Sequence, residues 1–232
     1  MKEIMTMSNR KYNVGEDALV YDELTQGSDE WFEVRAGKIT ASPIQTLMVK
    51  GKDESGFGAG AMTYLKEKLA ETFTGTVKHV SSPAMQWGHD HEDEARAFYE
   101  ASTGNEVDLV GAIVVHDKVA VSPDGLVGTD GLVEIKNPYN TEKILDYHLI
   151  VDPKDIPKDY YAQIQMQLWA TDRQWCDNVY FDTRYKRPLC MKVVRVPRDE
   201  EYIENMVGRI DKFIDLMEDK ISMYEKMYED QD

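Results

Sequence analysis

The stretch SPDGLVGTDGLVEIKNP, residues 122–138, constrains the fold more tightly than any other part of this chain. It is mostly small and apolar, and its pattern predicts a buried β-hairpin. Because side chains alternate across a strand, Glu134 and Lys136 project from one face while Ile135 points to the other. Asp124 stands just before a glycine in the preceding strand and can reach that same face. The hairpin therefore brings two carboxylates and an ammonium to one place.

Two carboxylates at one buried point repel each other, and removing them from water costs several kcal/mol unless a cation lies between them. A divalent ion is the natural cation. Oxygen ligands favour Mg²⁺ over zinc, with Mn²⁺ as a substitute, and Mg²⁺ usually keeps waters and accepts a substrate phosphate as a ligand. Lys136 would then orient or deprotonate the attacking water, or neutralise the charge of a pentavalent phosphorane. The hairpin thus predicts hydrolysis of a phosphodiester.

A simpler interpretation of the same residues competes with this one. An exposed hairpin often carries Glu-x-Lys as a same-face ion pair, which is worth less than about 1 kcal/mol. The spacing of Asp124, Glu134 and Lys136 also arises often by chance. Residues elsewhere in the chain are needed to decide between the two interpretations.

The sequence WGHDHEDEA, residues 87–95, is a second cluster of ionisable side chains. His89 and His91 are two residues apart and point in different directions on a helix, so they cannot both bind one metal ion. Most of the cluster is expected to be a solvated charged face. Glu92 is the exception, because neighbouring apolar residues predict a buried side of this helix. Its carboxylate could add a ligand to the hairpin metal.

The sequence DYYAQIQMQLWA, residues 159–170, forms a third cluster. Gln163 and Gln167 share a helix face one turn apart, and Tyr160 lies beside Gln163. Glutamines at this spacing are most often surface residues, and we expect them there by default. A role at the site is the alternative.

The order of predicted elements favours an α/β protein with a mixed central β-sheet flanked by helices. Residues 1–20 are predicted to form a loosely ordered arm. Helices are predicted near residues 28–36, 41–49, 61–73, 82–104, 140–150, 157–171 and 199–229, and strands near 107–117, 118–122, 131–136, 175–183 and 189–196. With 232 residues and 42% hydrophobic content, the chain is expected to form a single domain over residues 1–232.

The net charge of -16 weighs against a nucleic-acid partner, because phosphate binding depends on Lys and Arg. Half of that charge lies in residues 199–232, which include the acidic terminal helix. Two windows, residues 35–52 and 183–198, contain basic residues and no acid. A globally acidic protein can therefore still have a basic groove.

The cysteines and the apolar runs predict the compartment. Cys176 and Cys190 form neither a CxxC pair nor a metal-ligand spacing, which favours a reducing cytoplasm. No apolar run approaches the roughly 20 residues of a membrane span, and the N-terminus lacks the apolar core of a signal peptide. We expect a cytoplasmic protein without membrane association.

Five short sequence motifs follow one another along the chain: WxxxRxGxITAS at residues 31–42, then WGxxxExxA, SPDG, ExKxP, and YxAQIQ before LWA. Together they resemble the YqaJ-type viral recombinases, the family of phage lambda exonuclease within the PD-(D/E)xK nuclease superfamily. The resemblance covers roughly residues 25–200. It implies a restriction-endonuclease-like core, dependence on Mg²⁺, and processive 5′-to-3′ digestion of one strand of linear duplex DNA. The remaining 3′ overhang would serve recombination by annealing, in a bacterial cell carrying a phage or prophage.

The resemblance also implies roles for individual residues. The metal ligands would be Asp124, Glu134, Glu92 and the backbone carbonyl of Ile135. The attacking water would be positioned by Lys136 and Gln163. The 5′ phosphate of the cut strand would be held by Arg35, Ser42 and Ser122, although Arg35 could instead stack on Trp31 or pair with Glu33. The family's basic residue in the loop after ITAS has no clear counterpart, and Lys50 or Lys52 could serve there.

The resemblance further implies a homotrimeric ring around linear double-stranded DNA and a single-strand annealing protein as partner. The basic windows would line the channel of such a ring. An apolar stripe on the terminal helix is expected to pack on its own domain, with a subunit or partner contact as the alternative: Ile203, Val207, Ile210, Ile214, Met217, Ile221, Tyr224 and Tyr228.

Two other functions stay open at this point. Another PD-(D/E)xK nuclease, such as a structure-specific endonuclease or a repair nuclease, would share the hairpin chemistry. A non-catalytic module that binds DNA ends would keep only the fold. The intact set of Asp124, Glu134 and Lys136 speaks against the second, because an inactive site would be free to lose one of them.

Overall fold

The computed structural model describes Gly15, residues 18–78 and residues 81–229, with side chains through residue 227. The expected N-terminal arm falls mostly outside these residues. Its last part differs from the expectation, because Ala18–Tyr21 forms a β-strand, β1. This strand pairs antiparallel with residues 112–115, and Ala18 lies opposite Val115. The first strand of the described chain therefore begins at residue 18, inside the segment predicted to be a loosely ordered arm.

The helices of the described residues follow the predicted order. They are α1 Asp29–Arg35, α2 Gln45–Met48, α3 Ala59–Thr74, α4 Pro83–Asp90, α5 Glu92–Thr103, α6 Lys143–His148, α7 Lys158–Thr171 and α8 Glu200–Glu229, with a 3₁₀-helix at Pro153–Asp155. The helix predicted for residues 41–49 is confined to α2. Residues 41–44 form a bend and turns instead, in which the Ile44 N–H bonds to the Ala41 carbonyl at 3.2 Å.

The helix predicted for residues 82–104 is divided into α4 and α5. Its ends are as expected: Ser82 Oγ accepts the N–H of Met85 at 3.2 Å, and Gly104 closes α5 in a left-handed conformation with φ of 75°. The break lies at His91, whose ring Nδ1 donates to the carbonyl of Trp87 at 2.8 Å. That carbonyl is the one that the His91 amide would bond in a continuous helix, so the side chain competes with the backbone. A new helix therefore starts at Glu92.

The strands form two mixed sheets. The remaining strands are β2 Ile39–Thr40, β3 Val107–Asp108, β4 Ala112–Val115, β5 Val119–Val121, β6 Gly125–Val127, β7 Gly131–Lys136, β8 Trp175–Phe181 and β9 Met191–Pro197. One sheet has the order β1-β4-β5-β2, and the other has the order β3-β6-β7-β8-β9. The pairs β2–β5 and β7–β8 are parallel, and the other pairs are antiparallel.

This arrangement confirms the predicted fold class, an α/β protein with mixed sheets flanked by helices. It differs from the prediction in dividing the strands between two sheets. The strand predicted for residues 107–117 is divided between them, because β3 and β4 lie in different sheets. The chain crosses between the sheets again from β5 to β6, through Ser122, Pro123 and Asp124. Because proline has no amide hydrogen, Pro123 cannot continue a strand ladder. The link that interrupts the ladder also carries Asp124.

The predicted hairpin is the pair β6–β7, in which Leu126 lies opposite Leu132. The guanidinium of Arg173 lies beneath its turn and donates to the carbonyl of Gly131 at 2.6 Å. Gly131 itself packs under the ring of Trp175, where no Cβ would fit. The hairpin is thus supported by Arg173, just before β8, and by Trp175, at the start of β8.

The terminal helix packs mainly on its own domain. Ile203, Ile210 and Met217 of the apolar stripe are buried, while Tyr224 is 41% exposed; the side chain of Tyr228 lies outside the described residues. Phe213, which the stripe did not include, stacks on Tyr64 of α3 with ring centroids 5.8 Å apart. Among the described helices, none is long and apolar enough to cross a membrane.

Candidate active site

A cavity of about 590 Å³ opens beside the end of β7. Its wall contains every residue predicted for the site except the two loop lysines: Arg35, Ser42, Glu92, Ser122, Asp124, Glu134, Ile135, Lys136 and Gln163. These residues come from α1, α5, α7, β7 and the links before α2 and β6. The fold therefore gathers in one place the residues of all five sequence motifs.

Glu134 is the central acceptor in this cavity and is only 2% exposed. Its Oε1 accepts hydrogen bonds from Lys136 Nζ and Gln163 Nε2, both at 2.6 Å. Its Oε2 accepts a third from Gln167 Nε2 at 2.7 Å. The alternation of β7 does put Glu134 and Lys136 on one face. The burial of Glu134 excludes the simpler interpretation of the motif as an exposed ion pair.

Both glutamines of α7 are buried, which corrects the expectation that they lie on the surface. Gln163 is 8% exposed and Gln167 is 0% exposed. Their one-turn spacing directs both amides at the same carboxylate. Together with Lys136 they engage both oxygens of Glu134 and so fix its orientation.

Lys136 lies among the carboxylates with its ammonium group 4.8 Å from the centre of the Tyr160 ring. Burial alone would lower the pKa of Lys136, but the charges of Glu134 and Asp124 outweigh that effect and raise this pKa. The side chain is held as a cation that also contacts Gln163 Oε1 at 3.3 Å. It supplies a positive charge and N–H donors to the cavity.

Asp124 and Glu92 complete a group of carboxylates that interact with one another. Asp124 Oδ2 accepts the backbone N–H of Ile135 at 2.6 Å, which joins the link before β6 to β7. Burial, followed by the charges of Glu134 and Glu92, raises the pKa of Asp124 well above its ordinary value. The pKa of Glu92 is raised chiefly by burial, with Arg96 opposing the shift and Glu134 adding to it.

This donor set fits a hard divalent cation of the magnesium type. The raised pKa values of Asp124 and Glu92 reflect repulsion and desolvation that a cation between the carboxylates would relieve. Within residues 18–78 and 81–229, no three Asp, Glu, His or Cys side chains stand close enough to enclose a metal by themselves. Magnesium does not require such a cage, because it is usually held by one or two carboxylates and keeps several waters.

Arg35 lies in the same wall, at the end of α1. Its Nη1 donates to Ser122 Oγ at 2.9 Å, and its guanidinium lies 4.0 Å from the centre of the Trp31 ring. Trp31 Nε1 donates to the same Ser122 oxygen at 3.0 Å. Burial lowers the pKa of Arg35 to about 10. The stacking on Trp31, given above as the alternative, is therefore present, and Arg35 lines the cavity at the same time.

Lys50 and Lys52 do not line the cavity. Both are exposed and lie in the loop after α2. Lys50 forms an isolated β-bridge with Phe57, and Gly51 fits so closely against the Phe57 backbone that a Cβ would not be accommodated. The backbone of this loop thus packs against Phe57, and the side chains of Lys50 and Lys52 are exposed to solvent.

The two histidines are separated, as their spacing predicted. His89 lines the cavity, whereas His91 stacks on Trp87 with ring centroids 3.7 Å apart. Only one of them can therefore reach a ligand in the cavity.

One positioning residue, Gln26, was not predicted from the sequence. Its Nε2 donates to the carbonyls of Val110 and Pro123, both at 3.0 Å. These bonds hold the link that carries Asp124. A single glutamine in a loop has no periodic pattern around it, so nothing in the sequence singled it out.

The rim of the cavity is held by a second unpredicted residue, Arg184. It donates to the carbonyl of Pro138 at 2.7 Å and to that of Tyr139 at 3.1 Å. Its guanidinium also lies 4.5 Å from the centre of the Trp87 ring. Arg184 belongs to the acid-free window of residues 183–198, which was the available signal.

Known structures share this architecture. The crystal structure of an alkaline exonuclease (LHK-Exo) from Laribacter hongkongensis matches with a TM-score of 0.78 and 33% identity, covering 88% of this chain and 100% of that chain. The same exonuclease in complex with dAMP matches equally well. The crystal structure of a phage-related exonuclease from Haemophilus somnus 129PT has a TM-score of 0.65 at 13% identity, covering 81% of this chain and 96% of the other, which shows a common fold. The fold and the cavity together define a nuclease of the lambda-exonuclease type.

The sequence comparison gives the family. The YqaJ-like viral recombinase domain matches residues 30–174, so the chain belongs to the YqaJ-like viral recombinase family. An uncharacterized protein of Acanthamoeba polyphaga mimivirus is 26% identical over 168 residues. That match takes in 67% of this chain and 29% of the viral protein, so the chain spans less than a third of that relative's length.

Proposed function

We propose that this protein is a Mg²⁺-dependent exonuclease that digests one strand of linear double-stranded DNA in the 5′-to-3′ direction. One observation carries the proposal: the carboxylates of Asp124, Glu134 and Glu92 and the Lys136 ammonium share a cavity with the Arg35–Ser122 pair. The first group suits a phosphodiester under attack, and the second suits a terminal phosphate. An enzyme with both would act at a 5′ end rather than within a strand.

The carboxylate side of the cavity supplies the proposed hydrolysis. Asp124, Glu134, Glu92 and the Ile135 carbonyl would hold Mg²⁺, which would supply an acidified water and a positive charge for the phosphate oxygens. Lys136 would donate to the attacking water or to a phosphate oxygen, because its ammonium is already directed by Glu134. Gln163 and Gln167 would keep Glu134 in one orientation throughout the reaction. Such preorganised groups stabilise charge without having to move as it develops.

The other side of the cavity suits the 5′ phosphate. The guanidinium of Arg35 presents several N–H donors, and Ser122 accounts for one of them. Stacking on Trp31 fixes the plane of the guanidinium, which matches the fork of a phosphate group. Ser42, in the link between β2 and α2, adds a hydroxyl to the same cavity wall. A duplex with a 5′ phosphate would therefore be preferred over one with a 5′ hydroxyl.

The similar proteins support this proposal. The Laribacter hongkongensis relative is an exonuclease by its description, and its complex contains dAMP. A deoxynucleoside monophosphate is the product expected when an exonuclease removes single nucleotides from a strand. The family description refers to viral recombinases, which agrees with a 3′ overhang made for annealing and with an annealing protein as partner.

The proposal is tested with duplex DNA of defined ends. Linear duplex with 5′ phosphates and covalently closed circular duplex are incubated with the protein in Mg²⁺, in Mn²⁺ and in EDTA. We expect loss of the linear form with either metal, no loss in EDTA, and an intact circle throughout. Labels at the 5′ and 3′ ends of one strand report the direction. Nicking of the circle would instead indicate an endonuclease, and binding of ends without digestion would indicate a non-catalytic module.

We also propose that the active form is a trimeric ring. A single chain with a net charge of -16 would leave DNA quickly, whereas a closed ring would remain topologically linked to it. The basic windows, residues 35–52 and 183–198, would line the channel of the ring. Most of the acidic charge would then lie away from the DNA.

A further inference from the structure

A buried face of α3 holds the segment that joins Arg35 to Ser42. This segment, called the 35–42 turn below, runs from the last residue of α1 through β2 and contributes a cavity residue at each end. Its middle lies against α3, away from the cavity. The contacts there determine how the two ends are presented.

Two side chains of α3, Glu71 and Tyr64, accept hydrogen bonds from the segment, and a third, Lys68, pairs with Glu71. Glu71 Oε2 accepts the backbone N–H of Gly37 at 3.0 Å and also accepts from Lys68 Nζ at 2.6 Å. The hydroxyl of Tyr64 accepts the backbone N–H of Thr40 at 2.8 Å. Residues 64, 68 and 71 share one helix face because they are spaced four and three apart. Tyr64 and Lys68 are 6% exposed, and Glu71 is 9% exposed.

The fit of the turn against α3 is close. Gly37 has a φ of +69°, and a Cβ at this position would lie 2.7 Å from Thr72 Oγ1. A side chain at residue 37 would therefore push the turn away from α3. The hydrogen bond to Glu71 and this close approach together fix the backbone two residues after Arg35.

Burying an ion pair removes both charges from water, and this desolvation costs free energy that the attraction between them only partly offsets. Apolar residues of similar volume often stabilise a fold as well as a buried Lys–Glu pair does. The Lys68–Glu71 pair therefore suits a role that depends on its charge or on its hydrogen-bond acceptor. The segment it holds carries one of the two proposed functions of the cavity.

We infer that Glu71 is a positioning residue for the terminal phosphate: by holding the amide of Gly37 it directs Arg35 into the cavity, with Lys68 as its counter-ion. The inference rests on the proposed preference for 5′-phosphorylated ends. It assigns the selectivity for that phosphate to a residue outside the cavity wall. Glu71 does not touch substrate in this assignment and acts through Arg35.

Electrostatics supports the same assignment. Burial lowers the pKa of Arg35, and Tyr64 and Glu71 are the groups that oppose this change. The Glu71 carboxylate is thus close enough to stabilise the charged guanidinium, with Lys68 beside it. Without Glu71, the Lys68 ammonium would stay buried near Arg35 with its counter-charge removed.

The experiment compares two substrates that differ only at one end. The value of kcat/KM is measured on linear duplex with 5′-phosphate and with 5′-hydroxyl ends for the wild type, for Glu71→Gln and for the matched control Glu67→Gln. Glu67 is an exposed acid on the same helix. We expect Glu71→Gln to lower the phosphate-to-hydroxyl ratio by roughly tenfold, because the Gly37 amide then bonds a neutral oxygen in place of a carboxylate and Lys68 loses its counter-charge. The ratio of Glu67→Gln should equal that of the wild type.

The possible results distinguish the proposed recognition of the 5′ phosphate from the inferred role of Glu71. A wild type with no preference between the ends would refute the proposed phosphate recognition and the inference with it. A wild type with a preference, combined with an unchanged ratio in Glu71→Gln, would refute the inference alone. A merely structural role would lower both rates together and leave the ratio unchanged, which is the same refuting result.

A double variant covers the case in which Glu71→Gln does not fold. Lys68→Met with Glu71→Leu removes both charges and preserves the buried volume, so the fold should be retained. Unlike Glu71→Gln, it has no side-chain acceptor for the Gly37 amide. We expect the same fall in the ratio, and a wild-type ratio in this folded variant would overturn the assignment.

Discussion

Replacing Asp182 with asparagine tests how the rim of the cavity is held. Asp182 lies at the end of β8 and is 1% exposed. Its Oδ1 accepts from Arg184 Nε at 2.8 Å, and its Oδ2 accepts from Arg184 Nη2 at 2.9 Å and from Thr141 Oγ1 at 2.8 Å. The same guanidinium then donates to the carbonyls of Pro138 and Tyr139. One buried carboxylate thus orients the arginine that supports the rim.

The cost of the substitution follows from the exposure of the two partners. Breaking a fully buried ion pair by removing one charge costs about 3–5 kcal/mol. The side chain of Arg184 is 36% exposed, whereas that of Asp182 is 0% exposed, so water can replace part of the lost interaction of the arginine. We therefore expect Asp182→Asn to lower the free energy of unfolding by about 2–3 kcal/mol at neutral pH.

The pH dependence has a definite sign. Burial alone would raise the pKa of Asp182, but hydrogen bonds from Arg184 and Thr141 outweigh it and lower this pKa below its ordinary value. A lowered pKa in the folded state contributes stability above the unfolded value of about 3.9 and loses it as the pH falls through the folded value. The difference between wild type and Asp182→Asn should therefore be constant from neutral pH to about pH 5 and narrow below about pH 4.

Urea unfolding followed by circular dichroism at several pH values measures this difference. Asp219→Asn is the matched control, because Asp219 is an exposed residue of α8. It should change the free energy of unfolding by less than about 0.5 kcal/mol. An Asp182→Asn variant as stable as the wild type at neutral pH, or a difference that widens in acid, would refute the reasoning.

Four further predictions test the site, the hairpin and the assembly. Lys136→Ala should abolish digestion while a gel shift still detects binding to DNA ends, and digestion near the wild-type rate would contradict the assignment. Arg35→Lys should reduce the preference for 5′-phosphorylated ends, because lysine lacks the planar fork; an unchanged ratio of rates would contradict this. Gly131→Ala should destabilise the fold by about 1–3 kcal/mol through overlap with Trp175, and an unshifted thermal midpoint would exclude that overlap. Light scattering at micromolar protein should give three times the 26.6 kDa mass of one chain, and a mass of 26.6 kDa that DNA does not change would exclude the ring.

Strand alternation was enough to predict the centre of the site. Glu134 and Lys136 are two residues apart on β7, so their common face follows from local geometry alone. The burial of Gln163 and Gln167 could not be predicted in the same way. Most residues of α7 are buried, including polar ones on several sides, so no amphipathic pattern distinguishes an inner face. Burial on all sides depends on what the rest of the chain packs around the helix.

The division into two sheets was also beyond local reasoning. β2 and β3 have two residues each, too short for any alternation to be recognised. Their pairing depends on partners that are far away in sequence: Ile39 lies opposite Val119, and Val107 lies opposite Val127. Contacts between distant segments therefore decided the sheet order, whereas the individual longer elements followed from their own patterns.

Among the described residues, the buried acids outside the cavity, Glu71, Asp177 and Asp182, are each paired with a cation. Asp177 and Asp182 are buried and each binds an arginine: Arg195 Nε at 2.8 Å from Asp177 and Arg184 Nε at 2.8 Å from Asp182. Such pairs satisfy both charges within the fold and require no further ligand. They account for themselves as structural contacts.

The acids of the cavity are not each paired in this way. Glu134 is paired with Lys136, whereas Asp124 accepts the backbone N–H of Ile135. With Arg35 and Lys143 the cavity wall holds as many formal cations as acids, but the carboxylates still repel one another, because Glu134 raises the pKa of both Asp124 and Glu92. Arg96 lies 3.9 Å from Glu92 but makes its closer contact with Asp93, so it offsets this repulsion only in part. A chain selected for stability alone would lose such a cluster, because like charges in a buried position destabilise the folded state. The proposed divalent cation would relieve this repulsion, and this is the physical argument for the proposed catalytic role of the cavity.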